Sequence, residues 1–241
     1  MTASTNQWAL ITGASSGIGK ATALAFAKAG INLALVSRSQ DALASVAQTA
    51  EGFGVKARTY PLDLANLEQV KSQIAAIDQQ TPIDVLVNNA GIGYNTGDLL
   101  DTPLSDWQQV INLNLTSVFQ VVQAVLPGMR QRQQGTIVNV ASIAGSQAFP
   151  GWGAYNVSKA GLISLSKTLA VEERPHGIRV VTVSPGATNT SIWDQDTVHA
   201  DFDRTRMLTP EVVAETILYA ATLPTHAVIE ELLLMPSAGA L

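Results

Sequence analysis

The sequence predicts an α/β fold: a doubly wound parallel sheet with helices on both faces. Three observations carry that expectation. Short apolar runs alternate along the chain with stretches whose apolar residues recur at helical spacing. A glycine-rich turn follows the first apolar run directly and opens the first helical stretch. No internal repeat, low-complexity segment or linker interrupts the pattern, so residues 1–241 are expected to form one domain.

The elements follow in order. Trp8 to Thr12, WALIT, reads as a buried strand, and GASSGIG then leads into KATALAFAKAG, a helix closed by Gly30. Asn32 to Ser37 is a second strand, Gln40 to Glu51 a helix closed by Gly52, and VKARTYPLD a third strand ending at Asp63. Leu67 to Ile77 is helical and Ile83 to Asn88 is a fourth strand. A long helical pattern runs from Leu104 to Arg130, with Pro127 expected to disturb its last turns. Gly135 to Ala141 is the fifth strand, Trp152 to Arg174 a helix, and Ile178 to Ser184 the sixth strand. Thr209-Pro210-Glu211 opens a helix with an N-cap, a proline at the first position and an acid in the first turn. Ile229 to Met235 is a last apolar run and the seventh strand.

Composition narrows the function. Charged residues make up 14% of the 241-residue chain, below the roughly 25% usual in soluble domains. Either the core is large or apolar surface is covered by other subunits. The net charge of −5 gives no electrostatic footprint for nucleic acid. No polybasic cluster suggests a membrane surface, and no apolar run approaches the roughly 20 residues of a span. The absence of cysteine excludes disulfide and thiolate chemistry. His176, His199 and His226 have no metal-ligand spacing, so no metal is expected. The start, MTASTNQ, does not read as a secretory signal. A soluble cytoplasmic protein is the expectation.

The glycine loop is Thr12-Gly13-Ala14-Ser15-Ser16-Gly17-Ile18-Gly19. Its glycines permit a tight turn and let the backbone approach a pyrophosphate at the helix N-terminus. A nucleotidase phosphate loop does not fit, because Ala14 and Ala21 stand where that motif needs glycine and a hydroxyl. An NAD site places an acid roughly 20 residues past the loop to hold the ribose 2′-hydroxyl. Here Ser37 and Arg38 occupy that strand end, and the first acid is Asp41. A guanidinium fork and a hydroxyl suit a 2′-phosphate, so the cofactor expected is NADP(H).

The chemistry centres on Ser142 to Lys159, SIAGSQAFPGWGAYNVSK. Tyr155 and Lys159 are four residues apart and share one face of a helix. A neighbouring ammonium favours the phenolate, so Lys159 is expected to lower the Tyr155 pKa and make the phenol a proton-transfer group. Ser142 sits at a strand's carboxyl end, where open parallel sheets bind ligands.

With these residues assembled, the chain resembles the short-chain dehydrogenase/reductase family from about Trp8 to Thr190. The match comprises TGASSGIG, NNAG at Asn88 to Gly91, Asn114 in WQQVINLNL, Ser142, YNVSK and PGATNT at Pro185. The resemblance implies a Rossmann fold of about seven parallel strands in the order 3-2-1-4-5-6-7. It implies that Tyr155 is the general acid/base, that Lys159 also holds the nicotinamide ribose, and that Ser142 donates to the substrate carbonyl. Asn114 would kink its helix and hold a water linking Lys159 to solvent. Gly13, Ser15, Ser16, Gly17, Ile18 and Gly19 would cradle the pyrophosphate. Asp63 and Leu64 would border the adenine, and Asn89, Ala90 and Gly91 would floor the site. Pro185, Gly186, Thr188 and Thr190 would hold the carboxamide end. The 3-oxoacyl thioester reductases of the family usually end in a TG-x-x-x-x-V-x-GG segment, whereas this chain ends AVIEELLLMPSAGAL.

The function expected is NADPH-dependent reduction of ketones and aldehydes, reversibly, to alcohols. The alternatives are a 3-oxoacyl thioester reductase and a non-catalytic NADP-binding sensor or scaffold. Tyr94, Ile143, Phe149, Trp152, Ile192 and Trp193 are the candidate lining of an apolar pocket for a small neutral ketone or alcohol. Thr188 to Met207, which carries Asp194, Asp196, Asp201 and Asp203 but few apolar anchors, is the expected lid. A stripe of Ile111, Leu115, Val118, Phe119 and Val122, with relatives that pair through the corresponding helices and through the last strand near Leu232 to Leu234, points to a homo-oligomer, a tetramer ahead of a dimer.

Overall fold

The structure, a computed structural model, describes residues 7–94, 97–195, 198 and 203–239. Its strands are β1 (Trp8–Thr12), β2 (Asn32–Ser37), β3 (Ala57–Pro61), β4 (Val85–Asn88), β5 (Gly135–Val140), β6 (Ile178–Pro185) and β7 (Glu231–Leu234). Its helices are α1 (Gly17–Lys28), α2 (Gln40–Glu51), α3 (Leu67–Gln80), α4 (Leu104–Ile111), α5 (Ser117–Arg132), α6 (Gly153–Glu173) and α7 (Pro210–Ala221). The sheet runs β3-β2-β1-β4-β5-β6-β7, every pair parallel. The order reverses between β1 and β4, and a crevice opens there beyond the strands' carboxyl ends.

Period-two alternation divides each strand between two cores. Ile11, Leu33, Leu35 and Val138 face the layer of α1, α2 and α7, where Phe26, Leu43 and Ile217 are buried. Leu10, Ala34, Leu86 and Ile137 face the layer of α3, α5 and α6, where Ile74, Val125 and Leu162 are buried. Both faces are thus covered, which is why β1, β2, β4 and β5 read as nearly unbroken apolar runs.

The structure corrects several boundaries. The third strand ends at Pro61 rather than Asp63, and the fourth begins at Val85 rather than Ile83. The expected helix over 104–130 is α4, a five-residue π-helical turn at Asn112–Thr116, and α5. Pro127 does not end α5, which continues to Arg132. It lies on the exposed face, where water can serve the carbonyl that its missing N–H leaves free.

The Leu104–Arg132 segment is long and apolar enough to cross a membrane by length and composition, contrary to the reading from runs alone. Val118, Val121, Val122, Val125 and Met129 are instead buried in the second core. Its apolar character belongs to the protein interior. The Ile111–Val122 stripe accordingly splits: Val118 and Val122 point inward, while Phe119 stays 46% exposed.

Helix α6 is tied to the sheet by buried polar groups. Asn88 in β4 donates to Asn139 Oδ1 in β5 at 2.9 Å. Asn139 Nδ2 donates to Ser166 Oγ at 2.8 Å, and that hydroxyl donates to the Leu162 carbonyl at 2.7 Å. At the far end of α6, buried Glu173 accepts from Arg130 of α5 at 2.8 and 2.5 Å. Ser166→Ala leaves a buried Asn139 donor unpaired and should cost about 1–3 kcal/mol. In urea unfolding the midpoint should fall with the slope unchanged; an unchanged midpoint would show that the ladder contributes nothing to α6.

Candidate active site

A cleft of about 390 Å³ lies at the carboxyl ends of the strands. One end is lined by Gly13, Ser15, Ser16, Gly17, Ile18, Ser37, Arg38, Asp63, Leu64, Asn89, Ala90 and Gly91. The other is lined by Ser142, Ile143, Phe149, Trp152, Tyr155, Lys159, Pro185, Gly186, Thr188, Thr190, Ile192 and Trp193. Of the candidate residues, Gly19, Asn114 and Tyr94 stand outside this lining.

Each of the three has a physical reason. A Cβ on Gly19 would lie 2.2 Å from the Gly13 carbonyl oxygen and 2.5 Å from Asn89 Nδ2, so this glycine lets α1 press on the loop. Asn114 is fully buried behind the cleft. Tyr94 is a correction: its hydroxyl donates to Asp106 on α4, and the carboxylate raises its pKa.

The glycine-loop end is set for an anion. No acid occupies the first turn of α1, and the N-cap side chain of Ser16 makes no capping bond, so the helix's leading N–H groups face the cleft unspent. Thr12 ties the loop to β4, accepting from the Asn89 and Ala90 N–H groups at 3.0 and 3.1 Å. The sequence signal for that role is a lone hydroxyl residue ending an apolar strand. Ser37 Oγ is buried with no hydrogen-bond partner, beside exposed Arg38. A hydroxyl left unsatisfied where a cationic fork lines the cleft fits a phosphorylated ribose, and the residues present therefore fit a dinucleotide.

The catalytic candidates meet at the ends of β5 and α6. Ser142 follows β5, accepts from the Ala144 N–H at 3.1 Å, and stands within hydrogen-bonding reach of the Tyr155 phenol, an influence that lowers the phenol's pKa. Lys159 Nζ donates to the Val140 carbonyl at 2.9 Å and lies 5.7 Å from the Tyr155 ring centroid. Asn114 Oδ1 accepts from Ile92 N–H at 2.9 Å, while its Nδ2 donates to Ile92 O at 3.0 Å and Ser158 Oγ at 3.1 Å. The π-helical turn turns Asn114 inward to make these bonds. Both amide donors are thereby committed, while Oδ1 keeps a second acceptor site.

The titration behaviour differs from the simple pairing expectation. Burial raises the Tyr155 pKa, and the Ser142 hydrogen bond opposes that only in part. Burial lowers Lys159 to about 8. Desolvation favours the neutral form of both groups and outweighs the lowering expected of a lysine one turn away.

Two further positions were not singled out from sequence. Val140 supplies the carbonyl that anchors Lys159, a main-chain role without a residue signature. Gly145 lets the loop after Ser142 lie on α6, since a Cβ there would sit 2.9 Å from the Lys159 carbonyl oxygen. Its signal is a glycine three residues past the serine.

The expected lid is partly anchored. Val198 and Met207 are buried, against the expectation of few apolar anchors. Arg204 donates to Asn189 Oδ1 at 2.8 Å, to the Thr190 carbonyl at 3.0 Å and to Asp194 at 2.5 Å. Asp203 caps the turn Arg204–Arg206 by accepting from Thr205. Asp196 and Asp201 lie outside the described residues.

The family model for short chain dehydrogenase matches residues 7–200. The chain belongs to the short-chain dehydrogenase/reductase family. A 3-oxoacyl-(acyl-carrier-protein) reductase of Synechocystis sp. is 42% identical over 95% of this chain and 94% of its own length. A glycine betaine reductase of Emericella nidulans is 34% identical over 95% of this chain, which spans 18% of that longer protein. An alcohol dehydrogenase from the archaeon Thermococcus sibiricus, solved with 5-hydroxy-NADP, superposes with a TM-score of 0.87 at 29% identity, covering 96% and 97% of the two chains. In the short-chain dehydrogenase/reductase family member described here, Lys159 should titrate near pH 8 before any ligand binds. Selective ¹³C-lysine labelling followed by NMR should show one resonance moving there and missing from Lys159→Met. Titration of every lysine near the ordinary value of about 10.4 would overturn this.

Proposed function

We propose that the protein is an NADP(H)-dependent carbonyl reductase and alcohol dehydrogenase acting on small neutral ketones and alcohols. The observation that carries this is the meeting of Ser142, Tyr155 and buried Lys159 at one end of a cleft whose other end offers Ser37 and Arg38. The cofactor, when bound, supplies or accepts the hydride. Ser37 and Arg38 would hold its 2′-phosphate, and the start of α1 its pyrophosphate.

The protein's own part is to orient a carbonyl and deliver a proton. Ser142 is within reach to donate to the carbonyl oxygen as it enters. Tyr155, kept protonated by burial, is in the right state to give its proton to the developing alkoxide. Lys159 restores charge balance from behind the phenol. Asn114 and Ser158 hold the segment that backs Lys159, so positioning supplies much of the rate.

Tyr155→Phe removes the proton but keeps the ring. Turnover should fall ~10²–10⁴-fold, with NADPH affinity retained in a fluorescence titration. More than a tenth of normal turnover would show that another group delivers the proton.

Arg38→Ala should raise the NADPH Michaelis constant by the equivalent of roughly 1.5–3 kcal/mol for a charge-assisted bond, with little change for NADH. Equal efficiency with NADH and NADPH in the unmodified protein would defeat the cofactor assignment. A second reading, reduction of 3-oxoacyl thioesters, is favoured by the Synechocystis relative. Assaying acetoacetyl thioesters alongside neutral ketones separates the two.

A further inference from the structure

The substrate end of the cleft is walled by aromatic rings. Trp152 meets Tyr155 edge to face, with centroids 5.4 Å apart and planes at 71°. Trp152 meets Trp193 in the same manner, at 5.9 Å and 61°. The wall therefore begins at the proposed proton donor and runs outward through two indoles.

Both ends of this wall are pinned. Trp193 Nε1 donates to the Thr188 carbonyl at 2.7 Å. Asn156, the neighbour of Tyr155, donates from Nδ2 to the Phe149 carbonyl at 3.0 Å and so fixes the turn before Trp152. Gly93 packs against Ile192 and Trp152: a Cβ there would lie 3.1 Å from Ile192 Cδ1 and 3.3 Å from Trp152 Cζ3. Among the described residues, the charged ones lining the cleft are Arg38, Asp63 and Lys159. The first two lie at the glycine-loop end, and Lys159 is bound to Val140. Among the described residues, none at the aromatic end apart from Lys159 carries a charge that would hold a carboxylate or phosphate.

We infer that Trp152 and Trp193 determine specificity, selecting ketones that carry a flat π-bearing substituent over saturated ketones of equal carbon number. This rests on the carbonyl-reductase reading above. A flat ring gains edge-to-face or offset contacts with indoles that are already held in place, and a puckered saturated ring does not. Because the rings are pinned before the substrate arrives, little ordering opposes that gain. Asn156 is a positioning residue for the same wall.

The test compares acetophenone with cyclohexyl methyl ketone, using NADPH and the whole protein. The ratio of their kcat/KM values should fall about three- to ten-fold in Trp152→Leu and in Trp193→Leu, the size expected of an aromatic pair. Comparing ratios removes the intrinsic reactivity of the two ketones. Trp193→Phe, which keeps a ring but loses the Thr188 bond, should retain part of the preference. NADPH affinity should not change in any variant, which also reports that each has folded. The same ratio in all four proteins would overturn the inference and leave the reductase reading intact. Quenching of tryptophan fluorescence by acetophenone in the NADP⁺-loaded protein gives a readout without turnover. If neither ketone is reduced, quenching that is lost in Trp152→Leu upholds the aromatic recognition while the reductase reading fails. If neither reduction nor quenching occurs, both fail.

Discussion

The site depends on one buried contact, the Lys159 ammonium on the Val140 carbonyl at 2.9 Å. An ammonium inside a protein is costly unless its donors are met, and here the cost shows as a pKa brought down to about 8. The contact exists only if β5 and α6 keep a fixed spacing. Two buried polar clamps hold α6, one on each side of Lys159, and the second ties it to β5. Asn114 bonds Ser158 on one side, and Asn139 bonds Ser166 on the other. Gly145 leaves space for the loop to close over the same turn. The helix that carries the chemistry thus faces inward partly with serines and a lysine, an arrangement that apolar packing alone would not select.

The two ends of the cleft work on different physics. The glycine-loop end is built from main-chain groups and short side chains. Its N–H groups sit at the start of α1, with no acid in the first turn to compete for them. Such a surface recognises charge and is indifferent to most of a ligand's shape. The far end is built from rings and Ile143 and Ile192, with Ser142 and Tyr155 among its polar points. It recognises shape. Segment 188–194 joins the two. Thr188 and Thr190 line the cleft beside Gly186, and the Thr188 carbonyl holds Trp193. Because Trp193 belongs to that segment, a displacement of it by anything bound beside Gly186 would reach the aromatic wall directly.

Much of this was legible in the sequence. The glycine loop, the strand ends and the Tyr155–Lys159 spacing are local features with a fixed geometry, and the structure brings nearly all of them to one cleft. What was not legible is long-range or subtle in period. One extra residue per turn at Asn112–Thr116 leaves a helical pattern that still reads as one helix from Leu104. Pro127 looked like a helix end because its exposure could not be read from spacing. Tyr94 looked like a pocket residue because its loop follows β4, yet Asp106 on a later helix claims its hydroxyl. The Asn88–Asn139–Ser166 ladder joins positions 51 and 27 residues apart. No single stretch of chain contains it.

The direction of the Tyr155 pKa shows how far a pairwise rule carries. Spacing alone says that a lysine one turn away should lower it, but burial raises it and drives Lys159 down at the same time. Both changes favour neutral groups, because burial takes the two groups out of water. The two tendencies are coupled. An anion entering the glycine-loop end favours the charged ammonium, and a charged ammonium favours the phenolate. The lowering that the spacing suggests is therefore the tendency of a charged pair, and in Tyr155 burial outweighs it.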